Sequence, residues 1–198
     1  MLISEKMKIL RLTGNYGGNV PQATVVTDSA IVRPGKPMFL PRWAETFVGI
    51  PAFAFRIGRL GKTISRRFAS RYCDGMSVAL MVEARGIDSR QPEARYSALA
   101  TAFDGALLPG QWHELAPESL PAELEADFRL PSGEQATITT AAMTLGFDLL
   151  VEWLSRYFTL KMGDMIVSDC APLEFPLHVG DVIEASLGSE PLLRARIK

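Results

Sequence analysis

Histidine and cysteine are scarce here, two of each in 198 residues, and their scarcity excludes many common site chemistries. Cys73 and Cys170 form no Cys-x-x-Cys pair, and no His-x-x-x-His or His-Glu-x-x-His spacing offers zinc a site. A disulfide between the two cysteines is not expected in a chain that reads as cytoplasmic. His113 sits in the polar stretch Gln111-Trp112-His113-Glu114 and His178 just before Val179-Gly180-Asp181, so both read as surface or turn residues rather than as bases of a Ser-His-Asp triad. No Gly-x-Ser-x-Gly elbow is present. Charge of one sign is also lacking. The 21 Lys and Arg against 22 Asp and Glu leave a formal −1, with no basic stripe and no aromatic–basic interleaving, so a nucleic-acid partner is not expected. Long hydrophobic runs are missing too. The run 76–82 is far too short to span a bilayer, and the opening Met-Leu-Ile-Ser-Glu-Lys-Met-Lys has no apolar core after its charges, so neither membrane nor secretory signal is expected. Gly61-Lys62-Thr63 is no phosphate-binding loop, because Arg56 stands where that motif needs its first glycine.

What is present is an ordinary globular composition, 47% hydrophobic, in a length that fits one domain over 1–198. A chain of this size buries roughly 70% of its unfolded surface and needs no staples. Alternation or β-rich runs predict strands at 7–13, 47–57, 76–84, 165–168, 182–187 and 192–197. Pro131-Ser132-Gly133 between 123–130 and 135–139 predicts a hairpin. Helical spacing is found at 64–72, which carries Arg66, Arg67 and Arg71 as a solvated face, and at 92–103. The clearest case is 147–158, where Phe147, Leu150, Val151, Leu154 and Phe158 share one face and Asp148 sits in the first turn. Many strands, few helices and no regular βαβ alternation imply an α+β fold.

Several segments carry a resemblance. Tyr157-Phe158-Thr159-Leu160-Lys161-Met162-Gly163-Asp164-Met165-Ile166, then Leu177-His178-Val179-Gly180-Asp181-Val182-Ile183-Glu184, close the chain. Upstream lie Met7-Lys8-Ile9 through Asn15-Tyr16, Asp28-Ser29-Ala30-Ile31, Arg59-Leu60-Gly61-Lys62-Thr63-Ile64-Ser65 with Phe68-Ala69-Ser70-Arg71-Tyr72, and Ala102-Phe103-Asp104-Gly105. In order and spacing these resemble the C-terminal domain of the fumarylacetoacetate hydrolase family. The resemblance implies a mixed β-roll with flanking helices, usually a homodimer. It also implies chemistry on 2-oxo acids or acylpyruvates with Mg²⁺, Mn²⁺ or Ca²⁺.

The family holds its metal with two glutamates at alternate positions of one strand and an aspartate on the next. Matched block by block, those positions fall here on Ile50, Ala52 and Met81. None carries the oxygen a hard cation needs, so no metal cofactor is expected for this chain. The family's general-base region matches Asn19, its lysine before the "GFDG" segment matches Thr101, and its substrate-carboxylate loop reads Ser168-Asp169-Cys170-Ala171. Asp169 in that loop brings negative charge to where an anion would sit, and Cys170 beside it reads as inert. Glu83 lies two residues beyond Met81, on the same strand face. It could join Asp88 or Asp169 in a displaced oxygen site, but an ion pair with Arg56 or Arg85 is the expected role. The sequence thus points to a non-catalytic binding or assembly paralogue, with a small anionic ligand as one partner class. The alternative is a divergent hydrolase or isomerase acting on a small oxo acid in the same cleft, with Glu83 and Asp169 as its candidate groups.

Overall fold

The computed structural model describes residues 7–87, 97–116 and 118–198. Twelve strands and two α-helices follow in the order β1 Ile9–Thr13, β2 Gln22–Val26, β3 Thr46–Ile57, β4 Cys73–Arg85, α1 Ala98–Thr101, β5 Leu107–Pro109, β6 His113–Glu114, β7 Glu125–Arg129, β8 Gln135–Thr139, α2 Phe147–Tyr157, β9 Met165–Ser168, β10 Phe175–Leu177, β11 Val182–Leu187 and β12 Glu190–Arg196. The α+β expectation holds. No described helix is long and apolar enough to cross a membrane.

The larger sheet is mixed and runs β2-β1-β9-β3-β4-β5, with β10 on β3 and β6 on β4. Its parallel contact pairs β1 with β9, Ile9 opposite Met165 and Leu12 opposite Ser168. Its spine is the long antiparallel pair of β3 and β4, in register from Thr46 with Arg85 to Arg56 with Gly75, with a shift by one residue before Ile57 meets Cys73. The smaller sheet is the antiparallel β12-β11-β7-β8.

Alternation along the central strands separates two cores. Leu10 and Leu12, then Phe47, Phe53 and Phe55, then Val78, Leu80 and Val82 pack into the main core with α2 and the smaller sheet. The opposite face of the same strands carries Ile9, Ile50, Ala52, Ala54, Ala79, Met81, Met165 and Val167, which pack into a second core. Since successive strand side chains point to opposite faces, Arg11, Glu83 and Asp169 share the parity of this second face.

Three sequence expectations change. The segment 64–72 forms a 3₁₀ helix over Arg66–Tyr72 rather than an α-helix. The Phe68 ring there is stacked by the guanidinium groups of both Arg67 and Arg71, and Arg71 also pairs with Glu118, so these arginines cover apolar surface as well as meeting solvent. Of the helix expected over 92–103, the described part is α1, capped by Ser97, whose hydroxyl accepts the Ala100 N–H; residues 92–96 lie outside the described residues. Strands β2, β5, β6 and β10 were not foreseen: all but β2 are two or three residues long, too short to display a period.

Candidate functional site

A cleft of about 490 Å³ opens where the second face meets the ends of β1 and β9. Its walls come from the end of β1 and the turn after it (Thr13, Gly14, Tyr16), from Ile50 and Glu83 on the spine, and from Asp169 and Glu174 after β9. Among the described residues lining it there are three carboxylates and no basic group.

Asp169 is held by the chain that folds over it. The Gly14 N–H donates to one carboxylate oxygen at 2.7 Å and the Asn15 N–H to the other at 2.8 Å. Gly14 presents its amide from φ +79°, where glycine is at home. Asn15 is buried behind this turn: its side-chain amide donates to the Ser168 hydroxyl and the Leu145 carbonyl, and its side-chain oxygen accepts the Leu145 N–H. Burial still raises the Asp169 pKa, opposed by the two backbone donors and by Arg11.

Arg11 is the residue that sequence reasoning missed. It is 3% exposed, on the inward face of β1. Its Nη1 donates to the Val82 carbonyl at 3.0 Å and to the Thr101 carbonyl at 2.8 Å, whereas Nε and Nη2 are buried with no hydrogen-bond partner among the described residues. Three strand spacings separate β1 from β4 in the sheet order, about 14 Å on the flat, so the contact exists because the sheet curls. Burial pushes the Arg11 pKa down to about 10, against the opposing pull of Glu83 and Asp169. The signal was present in the sequence. Isoleucine, arginine and threonine at 9, 11 and 13 share a face with one another, and a charge at the middle of a buried strand demands partners.

Other expected site residues divide. Ile50 and Ala171 line the cleft with Asn19, whose side-chain amide donates to the Tyr16 carbonyl at 3.2 Å. Ala52 and Met81 are fully buried and belong with Ile50 to the second core. Ile50 and Met81 are direct cross-strand partners. Thr101 stands back from the cleft, its carbonyl taken by Arg11 and its hydroxyl by the Ser97 carbonyl. Ser168 and Cys170 are buried, Cys170 in the main core. Burial, then Asp169, pushes the Cys170 thiol up to about 12. Glu83 pairs with Arg85 at 3.4 Å, and Arg85 holds Glu174 more closely at 2.6 Å. Arg56 is not its partner: that guanidinium is taken by Asp74 and Glu114. Asp88 lies outside the described residues. His113 pairs with Glu190 and His178 lies near Asp181, both part of the exposed surface away from the cleft. Cys73 and Cys170 are free buried thiols. Among the described residues no group of three or more His, Cys, Asp or Glu is placed to hold a metal ion.

Residues 16–198 match the family model "Fumarylacetoacetate (FAA) hydrolase C-terminal". A curated relative, the mitochondrial oxaloacetate tautomerase fahd-1 of Caenorhabditis elegans, is 26% identical over 178 residues, covering 88% of this chain and 82% of its own. Among solved structures, fumarylpyruvate hydrolase from Pseudomonas aeruginosa, in complex with Mn²⁺ and pyruvate, superposes with a TM-score of 0.86 at 17% identity, over 100% of this chain and 93% of that one. A 2-hydroxyhepta-2,4-diene-1,7-dioate isomerase from Mycobacterium marinum gives a TM-score of 0.85 at 24% identity, covering 97% and 74%. The chain belongs to the fumarylacetoacetate hydrolase family.

Proposed function

We propose that this member of the family keeps the cleft as a site for a small ligand but works without a divalent metal, as a binding or assembly paralogue. The observation that carries this reading is the packing of Ile50, Ala52 and Met81 into one buried apolar core. A hard cation needs several oxygen ligands at about 2.0–2.6 Å. The side chains matched to the family's metal positions are two hydrocarbons and a thioether, so the donor set does not fit. Nor do the nearby carboxylates make up the loss, since Asp169 is engaged by two backbone N–H groups and Glu83 shares Arg85 with Glu174. Cleft charge supports the same reading. An anionic oxo acid arriving without a metal would meet Asp169 on a wall whose described lining residues include no basic side chain.

The test is turnover of oxaloacetate and of an acylpyruvate by the purified chain, with Mn²⁺ or Mg²⁺ and with EDTA, beside elemental analysis. Rates equal to buffer in every arm, and no stoichiometric metal, are expected. Metal-dependent turnover abolished by EDTA overturns the reading. A divergent hydrolase or isomerase is the second reading, favoured by the presence of Glu83 and Asp169 at the cleft wall with a guanidinium behind them. It is distinguished by turnover that EDTA leaves intact.

A further inference from the structure

Bases that are spread along the sequence are gathered by folding onto one side of the molecule. The chain around Gly61 runs antiparallel to the chain around Leu160, each N–H donating to the other's carbonyl at 2.9 and 2.8 Å. The Ser155 carbonyl takes the Thr63 N–H and its hydroxyl the Ile64 N–H, which lays the 3₁₀ helix Arg66–Tyr72 along α2. The surface so formed exposes Arg59, Lys62, Arg66 and Arg67, none of them in an ion pair among the described residues. Arg71 and Arg156 lie beside them, already paired with Glu118 and Glu152. Arg59 and Arg71 border one hollow, and Arg67 and Arg71 share the Phe68 ring, so the bases are contiguous. Asp148, which borders a second hollow with Arg66, offsets part of this charge, and a positive excess remains.

Three large apolar side chains stand out from this basic surface: Leu60 is 66% exposed, Tyr157 68% and Met162 75%. Leu60 adjoins Arg59. Tyr157 follows Arg156, whose carbonyl accepts from the Lys62 ammonium at 3.1 Å. Met162 stands opposite Arg59 in the pairing that joins Ile57 to Asp164 and Gly61 to Leu160. Apolar tips set singly among bases suit a lipid headgroup layer, where the tips leave water and the bases meet anionic headgroups. A tyrosine, with an apolar ring and a wet hydroxyl, suits the same boundary. A protein partner would need a hollow matched to each separate tip, whereas a fluid bilayer needs none. A second copy is disfavoured by charge, since a two-fold contact through this face would set its bases against themselves. We propose that this face docks the protein on an anionic lipid surface, with Arg59, Lys62, Arg66 and Arg67 on the headgroups and Leu60, Tyr157 and Met162 entering the interface. The contact lies on the bilayer rather than spanning it. None of these residues lines the cleft, so the inference stands apart from the function proposed for that site.

Co-sedimentation of the full chain with vesicles tests it. Vesicles of phosphatidylcholine and phosphatidylglycerol in equal parts are expected to carry the protein down at low salt, and vesicles of phosphatidylcholine alone to leave it in solution. Arg66→Glu combined with Arg67→Glu is expected to weaken binding to the anionic vesicles roughly tenfold or more. Leu60→Ser combined with Met162→Ser is expected to weaken it by roughly tenfold as well. All four positions are exposed, and melting curves check that both variants fold. Arg59→Glu and Tyr157→Ser stand in for either pair if its melting transition is lost. No sedimentation with the anionic vesicles, or equal sedimentation with phosphatidylcholine alone, overturns the proposal. So does binding that the apolar variant leaves unchanged, because charge alone would then account for it and a soluble acidic macromolecule becomes the partner.

Discussion

At the scale of single residues, the second face is built from small and apolar side chains where a charged ligand set would need room and water. Ala52, Ala54 and Ala79 are all fully buried, beside Met81 at 0% exposure. On the metal-free reading proposed above, Ile50→Glu puts a carboxylate into this cluster with no metal ion to meet it. It is expected to lower the unfolding free energy by about 3 kcal/mol or more in urea titrations at neutral pH. An unchanged midpoint would mean that the position is open and wet. The thiols give a second residue-scale prediction. Burial raises both Cys73 and Cys170 from 9.0 to about 12, so the folded state retains two protons that the unfolded chain releases first. Stability from this source is whole below about pH 9 and is lost as pH rises toward 12. Native protein at pH 8 is therefore expected to show no fast thiol with Ellman's reagent, and two on unfolding. A rapidly labelled Cys170 would place it in the cleft instead of the core.

Elements were legible where their period was long. Strands β3 and β4 and helix α2 could be read from alternation and from the apolar face of Phe147, Leu150, Val151 and Leu154. The short strands could not, because their pairing is decided by neighbours distant in sequence: Phe175–Leu177 is a strand only because it lies against Phe47–Gly49. The candidate site was half legible for a related reason. Ile50, Glu83 and Asp169 were found through the family spacing and the strand period. Arg11 was marked only by its place in mid-strand; its partners could not be read, because they are the carbonyls of Val82 and Thr101, and backbone acceptors leave no trace in a residue pattern. One matched motif turns out to brace elements. Asp164, 1% exposed, receives the backbone N–H of Lys161 and of Lys8 and pairs with the Lys8 ammonium. It thereby pins the turn before β9 to the start of β1. Asp164→Ala is expected to cost about 3 kcal/mol through three stranded partners, read as a lower chemical-denaturation midpoint with the cleft chemistry untouched. A loss well under 1 kcal/mol would show that solvent replaces those bonds.

For the whole molecule, the proposed reading includes self-assembly, since the family resemblance implies a homodimer and two-fold pairs are the commonest soluble oligomers. Light scattering is expected to give twice the chain mass across a tenfold dilution series, consistent with an interface of at least ~1,000 Å². A monomer mass throughout would remove assembly from the proposal and leave ligand binding to stand alone.

The parallel contact of β1 with β9 has a consequence for how the molecule comes into being. Residues 9–12 find their partners at 165–168, and Met38 bridges to Ile197. Early segments must therefore wait, unpaired on one edge, until late ones arrive, and the loop to be closed is nearly the length of the chain. Closing such loops carries an entropic cost before any contact repays it, and folds rich in distant pairings fold slowly. The cleft depends on that last event, because Arg11 and Gly14 come from one side of it and Asp169 from the other. Ligand recognition should accordingly be the final property to appear during refolding, after helix signal and hydrophobic burial have already recovered.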